Sequence, residues 1–546
     1  TWNVATMEDY GMYGQDLIWS NDVYVDAMLS YNKEIKDFSV SASAGWVGHT
    51  LKGETQKLWT RATYFSYTDM NQLPTRINFF EPQASWGGSS MNEYSLSSNW
   101  DKALFFTGQV GYKDYVYLEG SYRQDWYRAF KQFEDRGTPD IYGYFSVGAN
   151  TLMHRYISLP EFMTHLKLRA SYSEVGNSIP NEVFSMGSQN LATGAIASST
   201  YGYFDNPLPE KSKSFEAGFD VSFFESALNW DLTYYHTELC NSYFLQATTG
   251  GKTKPVNTGL IRNQGIETTV SYSLGFAKDW MWRTSVNFSY NDNKIVKTFK
   301  DEQGNPAKLE QKIAGGNIVV RYDEGGSYGD MYALDFRRND DGSIWLSSEG
   351  KPQVSTTDFV YLGNMNSKFQ LGWGNTFSWK DFSLYFLING RIGGKVVSLT
   401  EAYLDYQGVS KRVGDARDYA AAHNLMWTSP DGSITKPAMV MPDGNLAPIQ
   451  DYYQTVGGNF LGSQYVYEAT NFRLAEVSLG YTFRNLFGGV IRNLSLSVIG
   501  RNLFFIYKDA PVDPDIALST KNGLGAFDIF NMPATRSVGV NLKIDF

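Results

Sequence analysis

The chain has 546 residues, a formal net charge of −10 and, despite a mean hydropathy of −0.35, an aromatic content of 16%. The acidic balance argues against a nucleic-acid binder, which needs a basic face. No run approaches the roughly 20 apolar residues of a membrane-spanning helix, and the single cysteine, Cys240, excludes an internal disulfide.

From the amino terminus, T-W-N-V-A-T-M-E-D-Y shows no basic and apolar signal segment. The expectation is that a signal was removed or that the true start lies upstream. A period-two pattern then runs the length of the chain. Phe38, Val40, Ala42, Ala44 and Trp46 alternate with Ser39, Ser41, Ser43 and Gly45. Leu166, Leu168, Ala170 and Tyr172 alternate with Lys167, Arg169, Ser171 and Ser173, and the pattern returns at 215–223, 266–274 and 282–290. Side chains of a strand face alternate ways, so each segment has one oily and one wet face. About fifteen such strands are predicted, near 22–32, 36–49, 100–112, 114–126, 142–152, 164–174, 213–224, 226–239, 261–274, 279–290, 366–378, 381–391, 471–483, 493–504 and 535–546. Cys240 reads as a strand-end residue. In the closing segment Val538, Val540, Leu542, Ile544 and Phe546 form the oily face, expected to meet lipid.

The connections alternate strictly between short (33–35, 113, 153–163, 225, 275–278, 379–380, 484–492) and long (50–99, 127–141, 175–212, 240–260, 291–365, 392–470, 505–534). Outer-membrane barrels sort their loops this way, with short periplasmic turns and long extracellular loops. Aromatic pairs flank several short turns (Tyr112 and Tyr115, Trp280 and Trp282, Trp379 and Phe382), as an interfacial girdle requires. The expected fold is an all-β transmembrane antiparallel β-barrel.

An odd strand count puts residues 1–20 on the extracellular side, and an open edge in lipid leaves unpaired amides and carbonyls. The expectation is that residues 1–546 are the carboxy-terminal part of a larger barrel, whose upstream strands come from another segment, with cleavage in an outside loop as the preferred cause.

Ordered motifs carry a family resemblance. They are Y-V-Y-L-E-G-S-Y-R-Q-D-W (115–126), F-S-V-G-A-N (145–150), L-P-E-F (159–162), L-K-L-R-A-S-Y-S-E-V-G-N (166–177), N-T-G-L-I-R-N-Q-G-I-E (257–267), L-G-N-M-N-S-K-F (362–369), N-F-R-L-A-E-V-S-L-G-Y-T-F (471–483) and G-R-N-L-F (500–504). Through them the chain resembles the SusC/RagA group of TonB-dependent outer-membrane importers. The resemblance implies a barrel of about 22 strands, so about seven lie upstream of this chain, preceded by a plug domain and a TonB-contacting segment. It implies as partners a SusD-like surface lipoprotein lid, TonB with ExbB–ExbD, outer-membrane lipid, and a dimer of SusCD-type complexes. The implied function is active import of oligomeric nutrients, glycans or oligopeptides, with no cofactor.

Loops 291–365 and 392–470 are expected to contact the lid and line the cavity. Their aromatics Tyr328, Tyr332, Trp345, Tyr403, Tyr406, Trp427, Tyr452 and Tyr453 read first as packing residues, so no substrate residue is assigned. Chemistry motifs are weak. Gly325-Gly326-Ser327-Tyr328-Gly329 fits G-x-S-x-G, but the nucleophile elbow needs a parallel sheet and a following helix. Asn339-Asp340-Asp341-Gly342 lacks the spaced ligands of a calcium loop and reads as a hairpin turn. Gly390-Arg391-Ile392-Gly393-Gly394-Lys395 lacks the Ser or Thr of a phosphate loop, and the five histidines show no metal-ligand spacing. Asn287 and Asn493 match glycosylation acceptors by pattern but sit in or beside predicted strands. No catalytic or metal residue is assigned. A passive porin-like channel or a surface-binding barrel protein is the competing reading.

Overall fold

The structure, a computed structural model, describes residues 9–63, 91–131, 140–178, 207–247, 253–257, 259–300, 305–306, 309–515 and 525–546. The expectations for the loop segments between these ranges, and for residues 1–8, lie outside the described residues. Fifteen strands form one antiparallel sheet in chain order, from Asp9–Ile35 to Ser537–Asp545. All fifteen predicted strands are present, and Cys240 ends the strand Leu228–Cys240.

The first three strands are longer than the alternation suggests: Asp9–Ile35, Phe38–Thr63 and Met91–Tyr112. The segment 9–20 is therefore strand and not loop. A strand tilted across an apolar layer needs only about 9–11 residues to span it, so the oily-and-wet pattern ends where the strand leaves that layer. Beyond it apolar and polar residues no longer alternate, as where Leu17, Ile18 and Trp19 follow one another between Asp16 and Asn21, and periodicity no longer marks the strand.

The chain divides into two compact units. In the first, Asp9–Ile35 pairs with Phe38–Thr63, and that strand with Met91–Tyr112, which pairs in turn with Val116–Tyr127. The Arg123 Nε–Asp125 Oδ1 pair at 2.8 Å explains the Arg near an Asp in the 115–126 motif. Phe130 is buried under Tyr127, Tyr142 and Tyr243. Asn257, which opens the 257–267 motif, pins two neighbouring segments by bonding the backbone of Leu208 through N–H and carbonyl and the carbonyl of Asn241.

In the second unit, Leu260–Ala277 and Trp280–Lys297 form a hairpin, followed in the sheet by Phe369–Trp379, Phe382–Ile392, Asn471–Leu486, Ile491–Lys508 and Ser537–Asp545. Gly265 of the same motif is a close-approach position. A side chain there would meet the Tyr290 carbonyl 2.0 Å away and the Tyr235 ring, whose hydroxyl at 2.6 Å lies across the glycine and donates to Asn291 Oδ1. A bulge at Ala475 puts Leu474 and Val477 on one face although they are three residues apart. Rings next to the short turns form a chain: Phe276, Trp280, Trp379, Phe382, Tyr481 and Phe483 follow one another at centroid distances of 4.5 to 6.0 Å.

The dry core of this unit lies in its long loops, not in its sheet. Tyr465, Phe527, Ile318, Met331, Ile449 and Leu461, all at most 2% exposed, come from the segments after Lys297, Ile392 and Lys508. Strand residues such as Val538 and Val540 stay 75% and 69% exposed. The first loop folds into a four-stranded antiparallel sheet: Glu310–Ile313, Ile318–Arg321, Asp330–Phe336 and Val354–Asn364. The second contains helices Leu399–Tyr406, Lys411–Ala422 and Ile449–Gly458, the first two capped by Ser398 and Ser410 accepting from the N–H groups of Glu401 and Val413. The third adds Phe527–Asp528 in parallel beside Lys395–Ser398, where buried Ser398 Oγ donates to Asp528 Oδ2 at 2.9 Å. This internal order is a departure from the loops expected of these segments, since their short strands and helices carry no long alternation.

Candidate functional site: two polar rungs and a loop carboxylate

Register builds the site. Five neighbouring strands of the second unit align Glu267, Ser289, Gln370, Arg391 and Asn471 in one cross-strand rung. Two residues along, Thr269, Asn287, Gly372, Asn389 and Arg473 align in a second rung on the same face. The residues between them, Thr268, Phe288, Leu371, Gly390 and Phe472, point the other way, as the period of two demands. One face of these strands is thus a shelf of amides, hydroxyls and two guanidinium groups. A cavity of about 620 Å³ opens over it.

The third loop supplies one more group. Asp515 Oδ1 lies 2.8 Å from Arg391 Nη1, and its Oδ2 lies 2.9 Å from Arg473 Nη2. Asn471 Nδ2 donates to Oδ1 at 3.4 Å. The loop is shaped for this: Lys508 Nζ donates to the carbonyls of Pro511 and Val512, and the Asp515 N–H donates to Asp513 Oδ1 at 3.0 Å. Arg473 also lies over the Phe505 ring at 5.8 Å, and its Nε is buried without a hydrogen-bond partner among the described residues. Further along the same face, Arg501 pairs with Glu476 at 2.9 Å.

The long-loop body beside the shelf is held by a buried carboxylate. Asp405 is 1% exposed and accepts from Ser410 Oγ (2.6 Å), Arg412 Nε (2.6 Å) and Tyr465 Oη (2.8 Å). Burial draws the Arg412 pKa down, but the hydrogen bonding and charge of Asp405 together with the neighbouring Tyr465 and Tyr453 outweigh it and hold the group above its ordinary value. Burial pushes the phenols of Tyr322, Tyr465 and Tyr467 well above the usual range, and that of Tyr452 up to about 12.

The loop aromatics pack together as the sequence suggested. Tyr452 meets Phe336 and Tyr453, Tyr403 lies between Phe460 and Phe530, and Tyr328 meets Tyr322. Tyr332 packs on Tyr361 under Arg321, Trp345 under Arg337, and Trp427 against Gly350. Tyr406 is 43% exposed. None of the eight lines the cavity over the rungs. The rung residues went unnamed in the sequence reading, although their signal was there: each sits on the wet side of a predicted strand. Arg391 falls within the discarded phosphate-loop match and Arg473 within the 471–483 motif.

Ser327 sits in a turn between two antiparallel strands, its hydroxyl on Asn293 Oδ1, with a strand following it and not a helix. Asn339–Gly342 closes a tight turn, as expected, with the Gly342 N–H on the Asn339 carbonyl. Val538, Val540, Leu542 and Ile544 share a face and lie opposite Gly500, Val498, Leu496 and Leu494.

Residues 2–503 match the family model described as "TonB dependent receptor-like, beta-barrel". The chain is similar to TonB-dependent receptor P39 of Formosa agariphila, with 24% identity over 96% of this chain and 53% of that protein. It is also similar to TonB-dependent receptor SusC of Bacteroides thetaiotaomicron, with 20% identity over 67% of this chain and 36% of that one. The RagAB peptide importer in its closed-closed state shares the fold: TM-score 0.71, 17% identity, 98% of this chain and 56% of that chain. The chain spans about half the length of the relatives it matches.

Proposed function

This chain belongs to the TonB dependent receptor-like β-barrel family, a family of the Gram-negative outer membrane, and from that premise we propose that it is the carboxy-terminal barrel portion of an active importer of oligomeric nutrients, of the SusC/RagA kind. The observation that carries the proposal is the pair of polar rungs on the face that the dyad pattern makes wet. Amides and hydroxyls at Asn287, Ser289, Gln370, Asn389 and Asn471 bond sugar hydroxyls and peptide groups equally well. In this reading the cargo is a glycan or an oligopeptide.

On the opposite face Val538, Val540, Leu542, Ile544 and Phe546 meet lipid, and the ring chain from Phe276 to Phe483 lies in the periplasmic interface. A barrel of about 22 strands completes around a plug from an upstream segment. A SusD-like lipoprotein closes over the long-loop body, TonB with ExbB–ExbD supplies the pull, and two such complexes pair. The reading assigns no catalytic role: Ser327 lies in a strand-turn-strand setting and not at the strand-to-helix turn of a nucleophile elbow.

Liposome swelling with the full-length protein tests the proposal. An importer of this kind passes little solute without its energising partner, whereas free passage of small sugars shows a passive channel and overturns it. In cells, uptake should stop when the proton gradient is collapsed.

A further inference from the structure

We infer that Arg391 and Arg473 form an anion subsite for a carboxylate on the cargo, and that Asp515 is an internal stand-in which the cargo displaces. This rests on the importer reading above. The two arginines stand on adjacent paired strands, at Arg391↔Asn471 and Asn389↔Arg473, so the sheet fixes their separation. Asp515 comes from a loop; its Oδ1 accepts from Arg391 Nη1 and its Oδ2 is ion-paired with Arg473 Nη2 at 2.9 Å. Each guanidinium carries five donors, so the pair has capacity to spare. The Arg391 side chain is 42% exposed, and Arg473 Nε has no hydrogen-bond partner among the described residues.

The cavity of about 620 Å³ begins at this pair and leaves room for the remainder of an oligomer. Its lining holds two basic groups, Arg391 and Arg473, and two acidic ones, Asp515 and Glu267. Glu267 is three strand spacings from Arg391, roughly 14 Å at about 4.8 Å per strand, too far to neutralise it. Once Asp515 withdraws, two positive charges face the cavity from one end. A cargo carboxylate can take its place, one oxygen toward each guanidinium, as Asp515 does now. The chemistry suits a uronic acid or an acidic peptide alike.

The test is binding to the full-length protein in detergent, with two probe pairs: oligogalacturonate against its carboxyl-reduced form, and an acidic hexapeptide against its amidated form. At least one charged probe should bind about tenfold or more tightly than its neutral twin, the scale of a charge-assisted contact. Arg391→Gln and Arg473→Gln should each abolish that preference. Asp515→Asn should raise the affinity of the charged probe several-fold and leave the neutral one unchanged, because it removes an internal competitor. Which pair responds distinguishes the uronic acid from the peptide source. No charge preference in either pair overturns the inference, and so does an Asp515→Asn variant that weakens charged and neutral probes alike. Neutral probes bound well would leave the importer reading standing, whereas free conduction in the swelling assay would remove both.

Discussion

Replacing Asp405 with alanine is expected to loosen the body made by the long loops without expelling the strands from the membrane. Asp405 is 1% exposed and accepts four donors, Nε and Nη2 of Arg412 and the hydroxyls of Ser410 and Tyr465. Loss of the ionic hydrogen bond to Arg412 costs about 1.5–3 kcal/mol, and the Tyr465 hydroxyl, left unpaired at 0% exposure, about 1–3 kcal/mol more. Ser410 is half-buried and rehydrates, and the Arg412 side chain, 35% exposed, recovers part of its solvation. The total is about 3–5 kcal/mol, near the measured range for breaking a buried pair and a large share of the ~5–15 kcal/mol that holds a domain together. Hydrogen exchange of 393–470 should rise strongly in Asp405→Ala, while the gel shift between heated and unheated protein stays that of a folded barrel. The double variant Asp405→Leu, Arg412→Met should regain much of the protection, since an apolar pair leaves no charge stranded. Unchanged exchange in the single variant would refute the argument, because it would mean the carboxylate organises nothing.

Three further outcomes follow from the same physics. Val540→Lys should cost about 2–4 kcal/mol in urea unfolding from lipid vesicles, and Asn541→Lys on the other face much less; equal effects would contradict the assignment of faces. Gly265→Ala should cost about 1–3 kcal/mol by driving a methyl group against the Tyr290 carbonyl and the Tyr235 ring, seen as a lower unfolding midpoint, and a wild-type midpoint would show that the close contact is not needed. Burial raises the Tyr452 pKa to about 12 from the ordinary 10.0, so its contribution is complete below pH 10 and is lost as pH climbs through 12. Absorbance at 295 nm should therefore show late-ionising phenols that appear together with the loss of loop structure, and ionisation of every tyrosine near pH 10 with the fold intact would refute it.

Much of the fold was legible in the residues. Alternation such as Val538-Gly539-Val540-Asn541-Leu542 is a local property: the period of two is fixed by the strand backbone itself and requires no partner. It gave the number of strands, the two faces and the sorting of loops. It failed where apolar and polar residues stop alternating, as at the consecutive Leu17, Ile18 and Trp19, and where the bulge at Ala475 resets the phase.

The candidate site was not legible, for a different reason. Arg391, Arg473 and Asp515 meet only because one strand register sets Arg391 opposite Asn471 and Asn389 opposite Arg473, and a distant loop returns to the sheet. The helices and the buried core of the loops likewise depend on contacts such as Ser398 with Asp528, 130 residues apart. A one-residue change of register would exchange the faces of any strand. The sequence by itself determined which side chains are oily and which are wet; only the tertiary structure decided which wet ones stand together, because hydrogen-bonded register and loop packing are properties of pairs of segments and no segment carries them alone.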